Sequence, residues 1–195
     1  MKKMFLMLSV FALIFSLGAN DIFLKKFSRE LINSRGKRVK TAVALDRKRM
    51  VALYFSASWC PPCRSFTPKL AEFYENVAKK NGLEIILVTS DRNEKAMMNY
   101  LKKMPWLAIP FDSPQIAELK REFRVNGIPQ LIVLDDNWHK LSTSGRMEVM
   151  RFGNKAIDQW KDRRMPPQMR REEPSPRNKK STPAPEKRSK GTFSR

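Results

Sequence analysis

Residues 50–66 of the chain read MVALYFSASWCPPCRSF. The apolar run at residues 50–55 has the length and the β-branched and aromatic content of a strand that is buried on both faces. Beyond Cys63, apolar side chains recur at helical spacing, at Phe66, Leu70, Phe73, Tyr74 and Val77. A strand, a Cys-x-x-Cys pair and a helix in this order predict a dithiol at the N-terminus of a helix.

Cys60 and Cys63 are the only cysteines among the 195 residues. A structural disulfide between them would enclose two residues and would remove little entropy from the unfolded chain. A structural zinc site normally needs four ligands, whereas the chain adds only one histidine, His139, to the two cysteines. We therefore expect no metal and interpret the pair as redox-active.

Position in the chain gives the two sulfurs different expected roles. If Cys60 is the N-cap of the helix, Pro61 and Pro62 fill the first two helical positions and supply no N–H group. The backbone N–H of Cys63 is then the first donor that the Cys60 sulfur can reach. This hydrogen bond and the positive end of the helix dipole both favour the thiolate form of Cys60. We expect Cys60 to be the nucleophile and Cys63 to be the more buried, resolving thiol.

Two further features are expected to shape the site. Trp59 precedes the first cysteine, and its ring either forms an apolar lip over the dithiol or packs as a buried aromatic. The segment Gly127-Ile128-Pro129 precedes a third apolar run. A proline just before a buried strand is a position where a cis peptide bond is plausible.

Strand-like and helix-like segments alternate along residues 21–160. This alternation predicts one α/β domain with a central mixed β-sheet flanked by helices. Residues 21–49 suggest a short hairpin or an edge strand. Buried strands are predicted at 50–55, 83–89 and 131–134, and an antiparallel edge strand at 138–142. Helices are predicted after Cys63, where Pro68 should introduce a kink, and at 93–104, 113–123 and 154–160.

Residues 1–19 have the pattern of a signal peptide. A basic start, Met1-Lys2-Lys3, leads into the apolar run 4–17, and small residues follow around Gly18 and Ala19. The run is shorter than the about 20 residues that a bilayer span requires. We expect cleavage and export to the periplasm or the exterior. An uncleaved membrane anchor and a buried N-terminal helix remain as alternatives.

The other end of the chain is strongly basic. Residues 161–195 carry 12 Lys and Arg against 4 Asp and Glu, within a chain whose formal net charge is +20. This segment is Pro-rich and lacks apolar periodicity, which predicts a disordered tail. A basic tail of this kind either engages an anionic surface or is simply solvated. Nucleic acid is not expected as a partner.

Several motifs together carry a family resemblance. They are residues 54–64 (YFSASWCPPCR), Phe66-Thr67-Pro68, residues 103–111 (KMPWLAIPF), and Gly127-Ile128-Pro129 followed by residues 131–135 (LIVLD). In this order, over residues 30–150, the chain resembles the thioredoxin-like superfamily and, within it, the tryparedoxin and nucleoredoxin group. The resemblance implies a thioredoxin-like fold, with Cys60 as the attacking and Cys63 as the resolving cysteine. It also implies a cis-proline at Pro129, lying against the dithiol, and a helix-kinking proline at Pro68.

The chain also differs from the family that it resembles at several positions. Many thioredoxins have a buried aspartate six residues before the first cysteine, where this chain has Tyr54. Tryparedoxins have a tryptophan and an acidic residue after the second core strand. We expect this chain to have Ser90 and Arg92 at these positions, so that a positive charge replaces the negative one. That reversal argues against the cationic dithiol donor of the tryparedoxins.

The resulting expectation is an exported thiol–disulfide oxidoreductase that acts as a monomer and reduces protein disulfides. Its partners would be protein disulfide or dithiol substrates and an external thiol reductant, and no cofactor is expected. The alternative is a binding module that engages anionic surfaces through the basic tail, with the dithiol secondary.

Overall fold

The computed structural model of the chain describes residues 18–165. Residues 1–17 of the predicted signal segment 1–19 lie outside this part, and so do residues 166–195 of the predicted tail. Between residues 18 and 165, no helix combines the length and the apolar character that a membrane span needs.

The described chain forms one mixed sheet with helices on both faces. The strands are β1 (Glu30–Ile32), β2 (Arg38–Lys40), β3 (Met50–Ser56), β4 (Leu83–Thr89), β5 (Leu107–Ala108), β6 (Gln130–Asp135) and β7 (Lys140–Ser142). The helices are α1 (Gly18–Lys26), α2 (Thr41–Ala44), α3 (Pro61–Phe73), α4 (Glu94–Leu101), α5 (Gln115–Glu122), α6 (Gly145–Phe152) and α7 (Ala156–Arg164). A π-helical turn at Tyr74–Ala78 and 3₁₀ turns at Lys79–Asn81 and Gly153–Lys155 connect them.

The strand order β2-β1-β5-β4-β3-β6-β7 places the two longest strands in the middle of the sheet. β3 runs parallel to β4 over seven residue pairs and antiparallel to β6 on its other side. Every residue of β3 and β4 is buried, as expected for strands covered by helices on both faces. The chain leaves β3 at Ser56 and reaches the dithiol four residues later, so the site lies at the carboxyl end of the central strand.

Two apolar cores cover the two faces of the sheet. One face packs against α3, α4, α6 and α7 through residues such as Phe66, Leu70, Tyr100 and Trp160. The other face packs against α1 and α5 through residues such as Phe23 and Leu119. The α/β architecture with a mixed sheet, as the sequence predicts, is confirmed.

The local patterns placed most of the central elements correctly. Residues 50–55 and 83–89 are strands in the structure, with β3 one residue longer than predicted. Asn93 caps α4 by accepting the Ala96 N–H at 2.8 Å, and Pro68 lies inside α3. Gly82 ends the segment after α3 with φ +73°, a left-handed conformation that favours glycine.

Several elements differ from the prediction, and the short strand β5 and the helix α2 were not predicted. Residues 21–49 contain the expected hairpin, β1 with β2, but a helix, α1, precedes it. The short helix α6 was not predicted at all. The last helix continues to Arg164, four residues beyond the predicted end of the domain, so the predicted tail begins within a helix.

The unpredicted helix α1 is fixed by long-range aromatic contacts. Phe23 and Phe27, four residues apart, are both buried. Their ring centroids lie 6.3 and 5.6 Å from that of Trp138 in edge-on geometry. Phe27 follows the last residue of α1, but its N–H still donates to the Phe23 carbonyl at 2.8 Å. The two rings therefore lie on the same side of the chain and pack against Trp138.

A partly buried carboxylate joins the C-terminal helix α7 to the rest of the domain. Glu148 accepts hydrogen bonds from Ser142 Oγ and Trp160 Nε1 at 2.6 Å each, and from Arg163 Nη1 at 2.7 Å. Burial alone raises the pKa of the Glu148 carboxyl, but these three donors outweigh it and lower the pKa below its ordinary value. Glu148 therefore links β7, α6 and α7 in its charged form.

Replacing Glu148 by glutamine should destabilise the fold by about 2 kcal/mol at pH 7, because charge-assisted hydrogen bonds are lost. A lowered folded-state pKa gives a stability contribution that is present above the unfolded pKa and lost as the pH falls through the folded pKa. The difference between wild type and variant should therefore shrink below about pH 4. Urea unfolding at pH 7 and pH 3.5 measures both effects. The exposed Glu118→Gln change is the matched control, and equal stability of the two variants would contradict the assignment.

Candidate active site

The dithiol lies where β3 ends and α3 begins. Cys60 is the N-cap of α3, with φ −90° and ψ 110°, and Pro61 and Pro62 occupy the first two helical positions. The Cys60 sulfur accepts the backbone N–H of Cys63 at 3.4 Å. The two cysteines form a disulfide with their Cα atoms 5.2 Å apart. The capping geometry expected from the two prolines is thus present.

The two sulfurs differ in their access to solvent. Cys63 is completely buried, whereas Cys60 is 4% exposed. Ala57 and the partly buried Ile128 pack against the pair, while Pro61 and Pro62 are exposed. A substrate can therefore approach the disulfide only from the Cys60 side.

The loop before β6 brings a distant segment to the dithiol. Ile128–Pro129 is a cis peptide bond, as the position before a buried strand suggested. The Ile128 carbonyl oxygen lies 3.8 Å from the Cys60 sulfur, across 68 residues of sequence. This arrangement presents a backbone carbonyl beside the reactive sulfur, where the extended chain of a substrate can lie.

Trp59 stands at the rim of the site. Its side chain is 51% exposed, and its indole Nε1 donates to the Ser90 carbonyl oxygen at 3.0 Å. The interpretation of Trp59 as a buried packing aromatic is therefore wrong. The ring is an exposed apolar surface next to Cys60, held in orientation by the loop that follows β4.

The loop after β4 contains a carboxylate that the sequence reasoning overlooked. Asp91, between Ser90 and Arg92, is 9% exposed and accepts hydrogen bonds from Ser58 N at 2.9 Å and Ser58 Oγ at 2.6 Å. Its other oxygen accepts from Thr89 Oγ1 at 2.9 Å. The loop thus retains an acidic residue, and the charge reversal expected from Ser90 and Arg92 is incomplete. The sequence feature that could have identified Asp91 is an acidic residue two positions after the predicted buried strand 83–89.

A cluster of buried hydroxyl groups lies behind Cys63. The Thr67 hydroxyl donates to the Cys63 carbonyl at 2.9 Å and lies 2.9 Å from the Tyr54 hydroxyl and 2.5 Å from the Tyr100 hydroxyl. Burial raises the pKa of the Tyr54 phenol well above its ordinary value, so this group stays protonated. Thr67 and Tyr54 both hydrogen-bond the Cys63 carbonyl in the first turn of α3. Thr67 was detectable from sequence because a threonine four residues after Cys63 can reach its carbonyl.

Truncating Trp59 to alanine should lower kcat/KM for a protein disulfide about tenfold, since an aromatic contact contributes about 1.4 kcal/mol. The free energy of unfolding should change by less than about 1 kcal/mol, because half of the ring is already exposed. Steady-state kinetics and urea unfolding measure the two quantities. Val43→Ala, at an exposed position on α2, is the control. A kcat/KM equal to that of the control would show that Trp59 does not contact the substrate.

Comparison with known proteins supports the interpretation of Cys60 and Cys63 as a redox-active pair. A family described as thioredoxin-like matches residues 48–139. Tryparedoxin of Trypanosoma brucei brucei is 45% identical over 114 residues, which cover 57% of this chain and 79% of that protein. Probable nucleoredoxin 1 of Arabidopsis thaliana is 40% identical over 127 residues, covering 65% of this chain but only 22% of the longer plant protein.

Solved structures extend the similarity to three dimensions. A tryparedoxin II complexed with glutathionylspermidine superposes with a TM-score of 0.64 at 32% identity, covering 70% of this chain and 94% of that one. The region that matches the thioredoxin-like family, residues 48–139, contains the segment Cys60–Cys63. The chain therefore belongs to the thioredoxin-like family of thiol–disulfide oxidoreductases, in the group of the tryparedoxins and nucleoredoxins.

Proposed function

We propose that this protein is an exported thiol–disulfide oxidoreductase that reduces protein disulfides through a mixed disulfide on Cys60. The observation that carries the proposal is the position of the Cys60 sulfur. It caps α3, accepts the Cys63 N–H at 3.4 Å, and belongs to the more exposed of the two cysteines. A hydrogen bond to sulfur and a helix N-terminus both favour a thiolate, which is the nucleophile in disulfide exchange.

In the reduced protein, the Cys60 thiolate attacks one sulfur of a substrate disulfide. A bond forms between Cys60 and that sulfur, the substrate S–S bond breaks, and the other substrate sulfur leaves as a thiolate that takes a proton from solvent. The Cys63 sulfur then attacks the Cys60 sulfur, and the proton of the Cys63 thiol passes to the substrate sulfur that leaves. This step forms the Cys60–Cys63 disulfide, breaks the mixed disulfide and releases the reduced substrate.

The surroundings of the dithiol suit an extended polypeptide. The carbonyl of Ile128, beside Cys60, is an acceptor for a backbone N–H of the substrate, and Pro129 fixes the direction of this loop. The exposed ring of Trp59, next to Cys60 in the chain, offers apolar contact to the substrate. Pro61 and Pro62 complete an exposed surface that a protein substrate can cover.

The cycle closes when an external thiol reductant returns two electrons to the disulfide. The tryparedoxin II complex contains glutathionylspermidine, which supports a low-molecular-weight thiol as the chemical class of donor. Asp91 places a carboxylate in the loop that holds the Trp59 ring, and the neighbouring Arg92 is exposed. The reductive direction is proposed from the family resemblance, and export from the pattern of residues 1–19.

A turnover assay tests the proposal directly. The purified chain, supplied with dithiothreitol as donor, should reduce the interchain disulfides of insulin well above the rate of dithiothreitol alone. The initial rate should be proportional to protein concentration. A rate equal to that of dithiothreitol alone would reject the function. Faster oxidation of a reduced substrate than reduction of an oxidised one would reverse the direction.

A second candidate function is binding to an anionic surface through the basic tail, with the dithiol secondary. The observation in its favour is the charge of residues 161–195. Because α7 extends to Arg164, removal of residues 161–195 would also damage the domain. The sharper test replaces Lys179, Lys180, Lys187 and Arg188 by glutamine in the full chain. Unchanged retention on a cation-exchange resin at low salt would reject this candidate.

A further inference from the structure

A basic cavity lies at the end of the domain opposite the dithiol. It has a volume of about 480 Å³ and is lined by five cationic residues, Arg47, Arg49, Lys80, Lys161 and Arg164. Arg49 directly precedes the first residue of β3, whereas the dithiol follows the last. The seven residues of β3 separate the two sites by about 23 Å at a rise of about 3.3 Å per residue.

The positive charge of this cavity is poorly compensated. No Asp or Glu is among the residues that line it. Within residues 18–165, the side chains of Arg49 and Lys80 take part in no ion pair or hydrogen bond. Lys161 Nζ donates to the neutral Asn81 Oδ1 at 3.1 Å, which orients the ammonium group without neutralising it.

The other two cations have acidic neighbours outside the cavity. Arg47 lies 3.7 Å from Asp46 with both side chains largely exposed, a geometry that contributes little free energy. Arg164 donates to Asp136 through Nη2 at 2.7 Å. Its Nε is buried and has no hydrogen-bond partner in the described structure. Asp136 Oδ1 is likewise buried without a hydrogen-bond partner, so within residues 18–165 the two side chains are joined through one hydrogen bond.

The basic tail starts at the same place. Met165, the last described residue, also lines the cavity. Residues 166–195 then carry nine Lys and Arg against three Asp and Glu.

We propose that this cavity binds the phosphate groups of an anionic ligand. Guanidinium groups match phosphate oxygens in bidentate geometry, and ammonium groups add charge without a directional requirement. The volume lies within the range of about 300–1,000 Å³ that is usual for small-ligand sites. Five cations fit a ligand with several negative charges, such as a polyphosphate or the clustered headgroups of an anionic lipid surface. Binding there leaves the dithiol exposed at the other end of the sheet.

Binding of the full-length protein to two probes tests the inference and identifies the source of the phosphate. Inorganic pyrophosphate, titrated by calorimetry, represents a free ligand. Vesicles of phosphatidylglycerol and phosphatidylcholine, compared with phosphatidylcholine alone, represent a lipid surface. The double variant Arg49→Glu with Lys80→Glu should bind at least one probe about tenfold more weakly, because two favourable charge contacts become repulsive.

The matched control is Lys95→Glu with Lys103→Glu, two exposed lysines on another part of the surface. This control changes the net charge equally and should keep wild-type affinity. Weakening confined to pyrophosphate indicates a soluble ligand, and weakening confined to the anionic vesicles indicates a lipid headgroup. Equal weakening by both double variants would show a general charge effect and overturn the site. Absence of wild-type binding to either probe at physiological ionic strength would also overturn it. None of these readouts depends on turnover of the dithiol.

Discussion

Replacing Cys60 by serine should abolish protein-disulfide reduction, with a rate loss of about 10³-fold or more, because the covalent step loses its nucleophile. A serine hydroxyl is isosteric with the thiol but is not ionised at neutral pH and does not exchange with disulfides. The insulin-reduction rate with dithiothreitol as donor measures the loss. The variant should remain folded, since Cys60 contributes a cap and no large apolar area.

Replacing Cys63 by serine should give a different result. Cys60 still attacks the substrate, but nothing within the protein then resolves the mixed disulfide. We expect a covalent adduct that persists on non-reducing gels and disappears with dithiothreitol, and mass spectrometry should place it on Cys60. The same trap, applied to an extract, identifies physiological substrates.

The control for both cysteine variants is Ser65→Ala, which removes an exposed hydroxyl that hydrogen-bonds the Pro61 carbonyl on the same helix. Its turnover should equal that of wild type. Survival of turnover in Cys60→Ser, or an adduct that forms on Cys63 in the Cys60→Ser variant, would reverse the assigned roles of the two sulfurs.

The part of the site that could be predicted from sequence is the part that local geometry determines. Cys60 caps α3 because two prolines without N–H groups follow it, so the first reachable donor is the Cys63 N–H. Cys63 is buried because it lies one turn into a helix whose apolar face begins at Phe66. The cis bond before Pro129 was plausible from its position before a buried strand.

The part that could not be predicted depends on residues far apart in sequence. Tyr100 reaches Thr67 across 33 residues, and Asp91 reaches Ser58 across the same separation. No spacing rule within one element connects such pairs. The helix α1 was missed for the same reason, since its aromatic face packs on Trp138, more than a hundred residues away.

One set of long-range contacts joins the end of β3 and the segment before α3 to the loop that follows β4. Ser90 N donates to the Ser56 carbonyl at 2.8 Å, the Trp59 indole donates to the Ser90 carbonyl, and Asp91 holds both polar groups of Ser58. The turn that carries the nucleophile is therefore fixed by the loop after β4, with Asp91 as its most connected residue.

Replacing Asp91 by alanine should destabilise the protein by about 3 kcal/mol. The carboxylate is nearly buried and accepts three hydrogen bonds, and its removal leaves the Ser58 N–H and the Thr89 hydroxyl without their acceptor. The turn that holds Trp59 and Cys60 should become mobile. We therefore expect kcat/KM to fall about tenfold at a temperature where the variant is still folded, a cost of about 1.4 kcal/mol in transition-state stabilisation.

Urea unfolding and steady-state insulin reduction separate the two effects of the Asp91 change. Asp91→Asn keeps one acceptor oxygen and should lie between wild type and Asp91→Ala in both measurements. Asp112→Ala removes the same charge from an exposed position and should match wild type. If Asp91 acted only on stability, kcat/KM of the folded Asp91→Ala variant would equal that of Asp112→Ala. The positioning role requires the fall in kcat/KM in the folded variant, because Ser58 and the Trp59 indole are held by the same loop.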